Sequence, residues 1–180
     1  MRRSILFAAL LVPLLAGCGN RNLVLTVDIL SFMDPASKVV NYSIPAPIPS
    51  DTVEVFADSL NLLQGVGDVT NAVAASLDLA ASFDNTSGAA TGDLLIYIAS
   101  ANASDPFTTT PFADVPFTLL PGQITNVSTH VEASPALAEA LTHDRAMVGV
   151  RVVFNGTSFP IQGTETLTQL QATVILKKDL

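Results

Sequence analysis

From Val69 to Phe83 the chain alternates. Val69, Val73, Ala75, Leu77, Leu79, Ala81 and Phe83 fall on one parity, while Thr70, Ser76, Asp78 and Ser82 fall on the other. Side chains that alternate with a period of two stand on opposite faces of a strand, whereas an amphipathic helix repeats its apolar residues every three or four positions. The stretch therefore predicts one long half-buried strand, or two joined by a bend. A strand of this kind is stable only when other strands flank it and a second layer covers its apolar face.

The rest of the chain supplies those partners. Leu23, Leu25, Val27 and Ile29 share one parity of a first strand, Asp34-Pro35-Ala36-Ser37 reads as a turn, and Val39 to Ile44 as a second strand. Pro45-Ala46-Pro47-Ile48-Pro49 cannot donate a continuous ladder and belongs at an edge or a crossing between sheets. Thr52 to Ala57 follows with Val53 and Val55 inward, and Asp58-Ser59 has the chemistry to cap a short helical turn over Leu60 to Gln64. Asp84-Asn85-Thr86-Ser87-Gly88 reads as the next turn, and Leu94 to Ala99, apolar on both parities, as a fully buried strand.

Ala101 to Pro111 reads as a polar loop. Val115, Phe117 and Leu119, the Pro121-Gly122 turn and the return over Ile124 to Val131 predict a hairpin. Ser134-Pro135 supplies the N-cap and first helical residue for about two turns over Ala136 to Leu141. Val148, Val150, Val152 and Phe154 form a strand with Arg151 outward, Asn155-Gly156 a turn, and Phe159 marks a short strand. A final strand over Thr166 to Leu176 turns Leu170, Ala172, Val174 and Leu176 to the core. Eight or nine short-spaced strands, one or two short helices and no βαβ pattern predict an all-β, two-sheet antiparallel, immunoglobulin-like sandwich, with 23–180 as one domain.

The N-terminus has a different character. Arg2 and Arg3 precede an apolar run from Ile5 to Leu15, which is too short for the roughly 20 residues of a spanning helix and fits a secretory signal. The run closes on Leu15-Ala16-Gly17-Cys18, and Cys18 is the only cysteine in the chain. This segment resembles the type II signal peptide and lipobox of bacterial lipoproteins. The resemblance implies cleavage after Gly17, so that 1–17 is removed, and diacylglycerol and N-acyl lipid, palmitate among the acyl chains, on Cys18. Residues 18–22 become a short tether to the membrane. Gly19, standing where Asp would resemble an inner-membrane retention signal, implies the outer membrane of a two-membrane cell envelope.

Loss of residues 1–17 removes Arg2 and Arg3 and no acid, and takes the formal charge from −8 to −10. A domain this acidic repels nucleic acid and anionic headgroups. With Cys18 acylated no thiol is left for a disulfide or metal, and apart from the lipid no cofactor is expected. The absence of Trp and the presence of only two Tyr argue against a sugar- or base-stacking platform.

Catalytic motifs are missing: there is no Gly-x-Ser-x-Gly, His-Glu-x-x-His or phosphate-binding glycine loop. His130 and His143, the only histidines, read as surface or capping residues, with Glu132 and Asp144 the nearest carboxylates. No metal site is expected. Asp84, Asn85 and Asp93 are the weak calcium candidates, because acidic loops can offer calcium its six to eight oxygens, although Asx turns explain the same residues. Asn41, Asn85, Asn102, Asn126 and Asn155 begin Asn-x-Ser/Thr triplets that a Ser/Thr/Asn-rich β protein produces by composition. Ala72, Ala74, Ser76 and Ala80 form a small, uncharged face that suits assembly with another sheet or coverage by the same chain.

The sequence thus predicts a non-enzymatic, membrane-anchored envelope lipoprotein acting as a structural or protein-binding module, with an envelope protein or a second copy as partner. A carrier of a lipid or other apolar ligand between the sheets is the alternative. A hydrolase or calcium-dependent adhesin is a third reading and needs converging acids.

Overall fold

A computed structural model describes residues 21–45, 50–60, 71–100, 102–103, 105–142 and 145–178. The strands are β1 (Arg21–Asp28), β2 (Val39–Ile44), β3 (Ser50–Leu60), β4 (Asn71–Ser100), β5 (Ala113–Leu119), β6 (Gln123–Ser134) and β7 (Ala146–Lys178). Two short helices accompany them, α1 (Pro35–Lys38) and α2 (Pro135–Thr142).

The organising unit is a ribbon of β4 and β7, paired antiparallel from Asn71 opposite Lys177 to Ser100 opposite Ala146. It is longer than a globular domain can keep straight, and it folds over at its middle. Successive register shifts between Asn85 and Ala90 mark the bend, opposite a segment of β7 that holds a cis Phe159–Pro160 bond. The first half of β4 pairs with β6 on one side and the last part of β7 on the other, and β7 continues to β1 and β2. The second half of β4 pairs with β5 and the first part of β7, which continues to β3.

These two layers pack face to face as an antiparallel β-sandwich. Phe83 of the first layer stacks on Phe117 of the second with ring centroids 4.6 Å apart, and both meet Phe154 edge-on at 6.3 and 6.1 Å. Tyr42 of the first layer reaches the same Phe154 at 4.9 Å. Leu137, Ala138 and Leu141 of α2 join the same core, and Ser134 caps the helix by accepting from the Leu137 amide at 3.2 Å.

Several expectations change at this point. Asp84–Gly88 and Asn155-Gly156 are not hairpin turns but part of continuous strands. Their side chains bond across the ribbon, Thr86 to the Gln162 carbonyl, Ser87 to that of Pro160 and Thr157 to that of Ala89. With β4 and β7 each serving both layers, seven strands supply nine strand segments, which accounts for the expected eight or nine.

The Pro121-Gly122 turn forms, with Gly122 at φ 69°, but β5 and β6 do not pair with each other. Each pairs with a different half of β4, so the turn passes between layers. Asp58, Ser59 and Leu60 belong to β3 rather than to a helix start; the helical turn expected after them lies outside the described residues, as do Val69, Thr70 and the prolines after Pro45. β1 begins at Arg21, two residues before the expected start. The loop before β5 contains a 3-10 turn over Pro106–Thr108 that buries Phe107.

Candidate functional site

The polar residues inside the sandwich gather near the bend. Tyr42 on β2 and Asn85 on β4 both stand opposite Gly163 of β7. With strands about 4.8 Å apart, an inward Tyr42 ring must cross Gly163 to reach Asn85. Gly163 permits this because it lacks a side chain: a Cβ there would collide with the Tyr42 hydroxyl and the Asp84 carbonyl. The hydroxyl donates to Asn85 Oδ1 at 3.4 Å, a long bond. Asn85 is fully buried. Its Nδ2 donates to the Gly88 carbonyl at 2.8 Å, and its own carbonyl accepts from the Gly122 amide at 2.7 Å. Asn85 thus ties the bend in the ribbon to the β5–β6 turn.

Glu165 lies next to this group, opposite Val40 on one side and Phe83 on the other. It is 2% exposed, and among the described residues neither carboxylate oxygen has a hydrogen-bond partner. Burial pushes its pKa up to about 7, because an anion without a partner in apolar surroundings is costly. Tyr42 is pushed up to about 12, by burial first and then by the negative charges of Asp84 and Glu165. The cluster can store a proton in the core, but its groups do not present a nucleophile, base and orienting group to a substrate.

On the surface, His130 Nδ1 is 2.7 Å from Asp78 Oδ1, and Nε2 is 4.0 Å from Glu132. The hydrogen bond to Asp78 raises the His130 pKa, with Asp78 and Glu132 adding charge attraction. His143 and Asp144 lie outside the described residues. In the second layer Arg151 donates from Nε to Glu54 at 2.9 Å. Its guanidinium lies 5.3 Å from the Tyr97 ring centre and 4.5 Å from that of Phe107.

The calcium candidates are divided between the layers. Asp84 is exposed and next to Asn85, whose side chain is already occupied; Asp93 lies beyond the bend, opposite Val153 and Pro116. Among the described residues no group of three or more His, Cys, Asp or Glu is placed to hold a metal ion. Ala72, Ala74, Ser76 and Ala80 are half-buried on a strand that pairs with β7 throughout and with β6 from Ala75 onward, so Ala80 lies between two strands while Ala72 and Ala74 precede the β6 pairing. Of the glycosylation-type triplets, Asn85 is closed off by burial while Asn41, Asn102, Asn126 and Asn155 are exposed. Cys18 lies outside the described residues.

A cleft of about 300 Å³ opens between α2 and the end of β4, lined by Ile98, Ala99, Ser100, Ala136, Glu139 and Ala140. It lies at the end of the sandwich and not between the sheets. No helix among the described residues is long and apolar enough to cross a membrane.

No family model matches the chain, and no curated protein is significantly similar to it. Among solved structures, T=1 particles derived from infectious bursal disease virus align at 12% identity with a TM-score of 0.49, over 87% of this chain and 32% of the viral one. The chain therefore spans about a third of the length of those viral chains. TmCBM61, solved with β-1,4-galactotriose, aligns at 9% identity and TM-score 0.30, covering 86% of this chain and 88% of its own. Desmodium yellow mottle tymovirus aligns at 13% identity and TM-score 0.27, covering 91% of each chain.

Proposed function

We propose that this chain is a non-enzymatic lipoprotein of the bacterial cell envelope, held by lipid on Cys18, whose sandwich is a structural or protein-binding module beside the membrane. The observation that carries the reading is Leu15-Ala16-Gly17-Cys18 closing an apolar run, with the first strand beginning at Arg21. The three residue steps from Cys18 to Arg21 span about 10 Å at full extension, so the anchor also positions the domain. Stable attachment takes two or more chains, which diacylglycerol and an N-acyl group supply.

The interior also favours a structural module over a carrier. Phe83, Phe117, Phe154 and Tyr42 stack through the middle of the sandwich, where an apolar ligand would have to lie. The alternative of an apolar-ligand binder falls back on the cleft beside α2.

Metabolic labelling with an alkynyl fatty acid, followed by intact-mass measurement, tests the anchor. The expected result is a chain beginning at Cys18 with acyl mass, moving to the soluble fraction in Cys18→Ser; a chain retaining residues 1–17, or cleaved elsewhere with a free thiol, rejects it. Capture from membranes tests the module: a stoichiometric protein partner, or a second copy, retained by the anchored form supports it, and apolar ligand co-purifying without protein favours the carrier.

A further inference from the structure

Glu165 sits between two strands that are held in place very differently. On one side is Phe83 of β4, a strand that at this point is paired twice, Phe83 standing opposite Thr125 of β6 and opposite Glu165 itself. On the other side is Val40 of β2, whose six residues pair, among the described residues, with β7 alone, from Val39 opposite Thr166 to Ile44 opposite Ile161. Moving β4 aside breaks two ladders in the middle of the sheet. Moving β2 aside breaks one short ladder at its edge, and local openings follow the least stable element.

β2 covers the core with buried Tyr42 and Ile44 and half-buried Val40. Its polar ties are few. The Tyr42 hydroxyl reaches Asn85 at 3.4 Å, near the limit of a hydrogen bond, and on the outer side Thr164 donates to Asn41 at 2.9 Å and Gln162 to Ser43 at 3.5 Å. None of these ties engages the Glu165 carboxylate, whose two oxygens are buried without a partner. The charged and titratable groups on the surrounding elements leave it uncompensated. Tyr42 on β2 is neutral, Asp84 on β4 is exposed and of the same sign, Asp28 and Asp34 cap the turns that follow them, and Lys38 closes α1. In the second layer Glu54 and Arg151 pair with each other, and the Asp51 side chain lies outside the described residues.

We infer that β2 is a proton-gated flap: with Glu165 protonated it lies closed on β7, and loss of that proton shifts β2 toward an open state that admits water to Glu165 and uncovers Asn85 and Phe154, while the β4–β7 ribbon stays paired. The driving force is the cost of an enclosed anion with no partner, which water relieves. Tyr42 leaves with the strand, so its contact with Phe154 at 4.9 Å and its bond to Asn85 are lost together. Burial pushes the Glu165 pKa up to about 7, which sets the change near neutral pH, closed on the acid side and opening on the alkaline side. The flap does not depend on the lipid anchor.

Amide hydrogen exchange on the full chain at pH 6 and pH 8, read by mass spectrometry, tests this. Rates are expressed as protection factors, so that the intrinsic base dependence of exchange cancels. A carboxyl that titrates at 4.5 in water and at about 7 when enclosed raises the opening constant about tenfold between those two pH values. Peptides over Val39–Ile44 should therefore lose about tenfold in protection, while peptides over Leu77–Phe83 and Val148–Phe154 keep theirs. Glu165→Gln and Glu165→Leu carry no ionisable group at this position, and whichever of them folds should hold 39–44 at one level of protection at both pH values. Equal loss in all three segments makes the proton linkage global and overturns the flap. Loss at 39–44 that persists in the variants, or no loss there in the unmodified chain, overturns it as well.

Discussion

Arg151 and Glu165 stand on the same strand, one in each layer, and the fold treats their charges in opposite ways. Arg151 is paired at the surface: the second layer places Glu54 2.7 Å from its guanidinium and two aromatic rings beside it. Glu165 faces the core beside Phe83 with no hydrogen-bond partner among the described residues, and burial lifts its pKa to about 7. One layer holds an ion at its surface by pairing; the other holds a carboxyl inside by letting it keep its proton. The difference shows where this molecule responds to pH.

The sharpest way to break the contrast is Glu165→Leu. Its pKa rises from 4.5 to about 7 on folding, so the folded state binds the proton more tightly. The stability this provides is complete below about pH 4.5 and is lost as pH rises through about 7. A shift of that size corresponds to about 3 kcal/mol. Urea unfolding should show the protein less stable at pH 8 than at pH 4.5, with Glu165→Leu removing most of the slope; an unchanged slope means that Glu165 does not carry it.

Gly163→Ala attacks the same region through shape, forcing a methyl into the place occupied by the Tyr42 hydroxyl. It should cost about 2 kcal/mol, read as a lower urea midpoint. Relief of that loss in Gly163→Ala with Tyr42→Phe would identify the hydroxyl as the obstacle.

On the other side of the comparison the effects shrink. Arg151→Met should cost about 1 kcal/mol through lost ring contacts and ion pairing. Glu54→Gln should cost roughly 0.5 kcal/mol, because Glu54 is largely exposed. A double-mutant cycle in low and high salt separates the two, and only the pairing part should weaken with salt. Smallest of all, Asp78→Asn should lower the His130 pKa in an NMR titration, since the Asp78 hydrogen bond is the main cause of its elevation, with little change in unfolding.

Much of the secondary structure was readable because its causes are local. The alternation in β4 put Ala75, Leu77, Leu79, Ala81 and Phe83 in the core, Pro121-Gly122 made its turn, and Ser134-Pro135 started α2. Glu165 was not readable, for a specific reason. Leu170, Ala172, Val174 and Leu176 face inward on even positions, and that parity extended backwards turns Glu165 outward. Between Leu167, opposite Ala81, and Gln169, opposite Ala80, one residue of β7 is left over, and a single extra residue exchanges the two faces of a strand. Upstream of that shift the odd positions Ile161, Glu165 and Leu167 are buried.

What the sequence by itself determined is which segments are strands, and the anchor-like motif at the N-terminus; both rest on neighbours within a few residues. Only the tertiary structure decided that Asp84–Gly88 and Asn155-Gly156 lie within continuous strands, and that Tyr42, Asn85 and Glu165 meet. Turn-forming side chains hydrogen-bond equally well to their own loop or to a facing strand, and the choice depends on a partner strand far away in the chain.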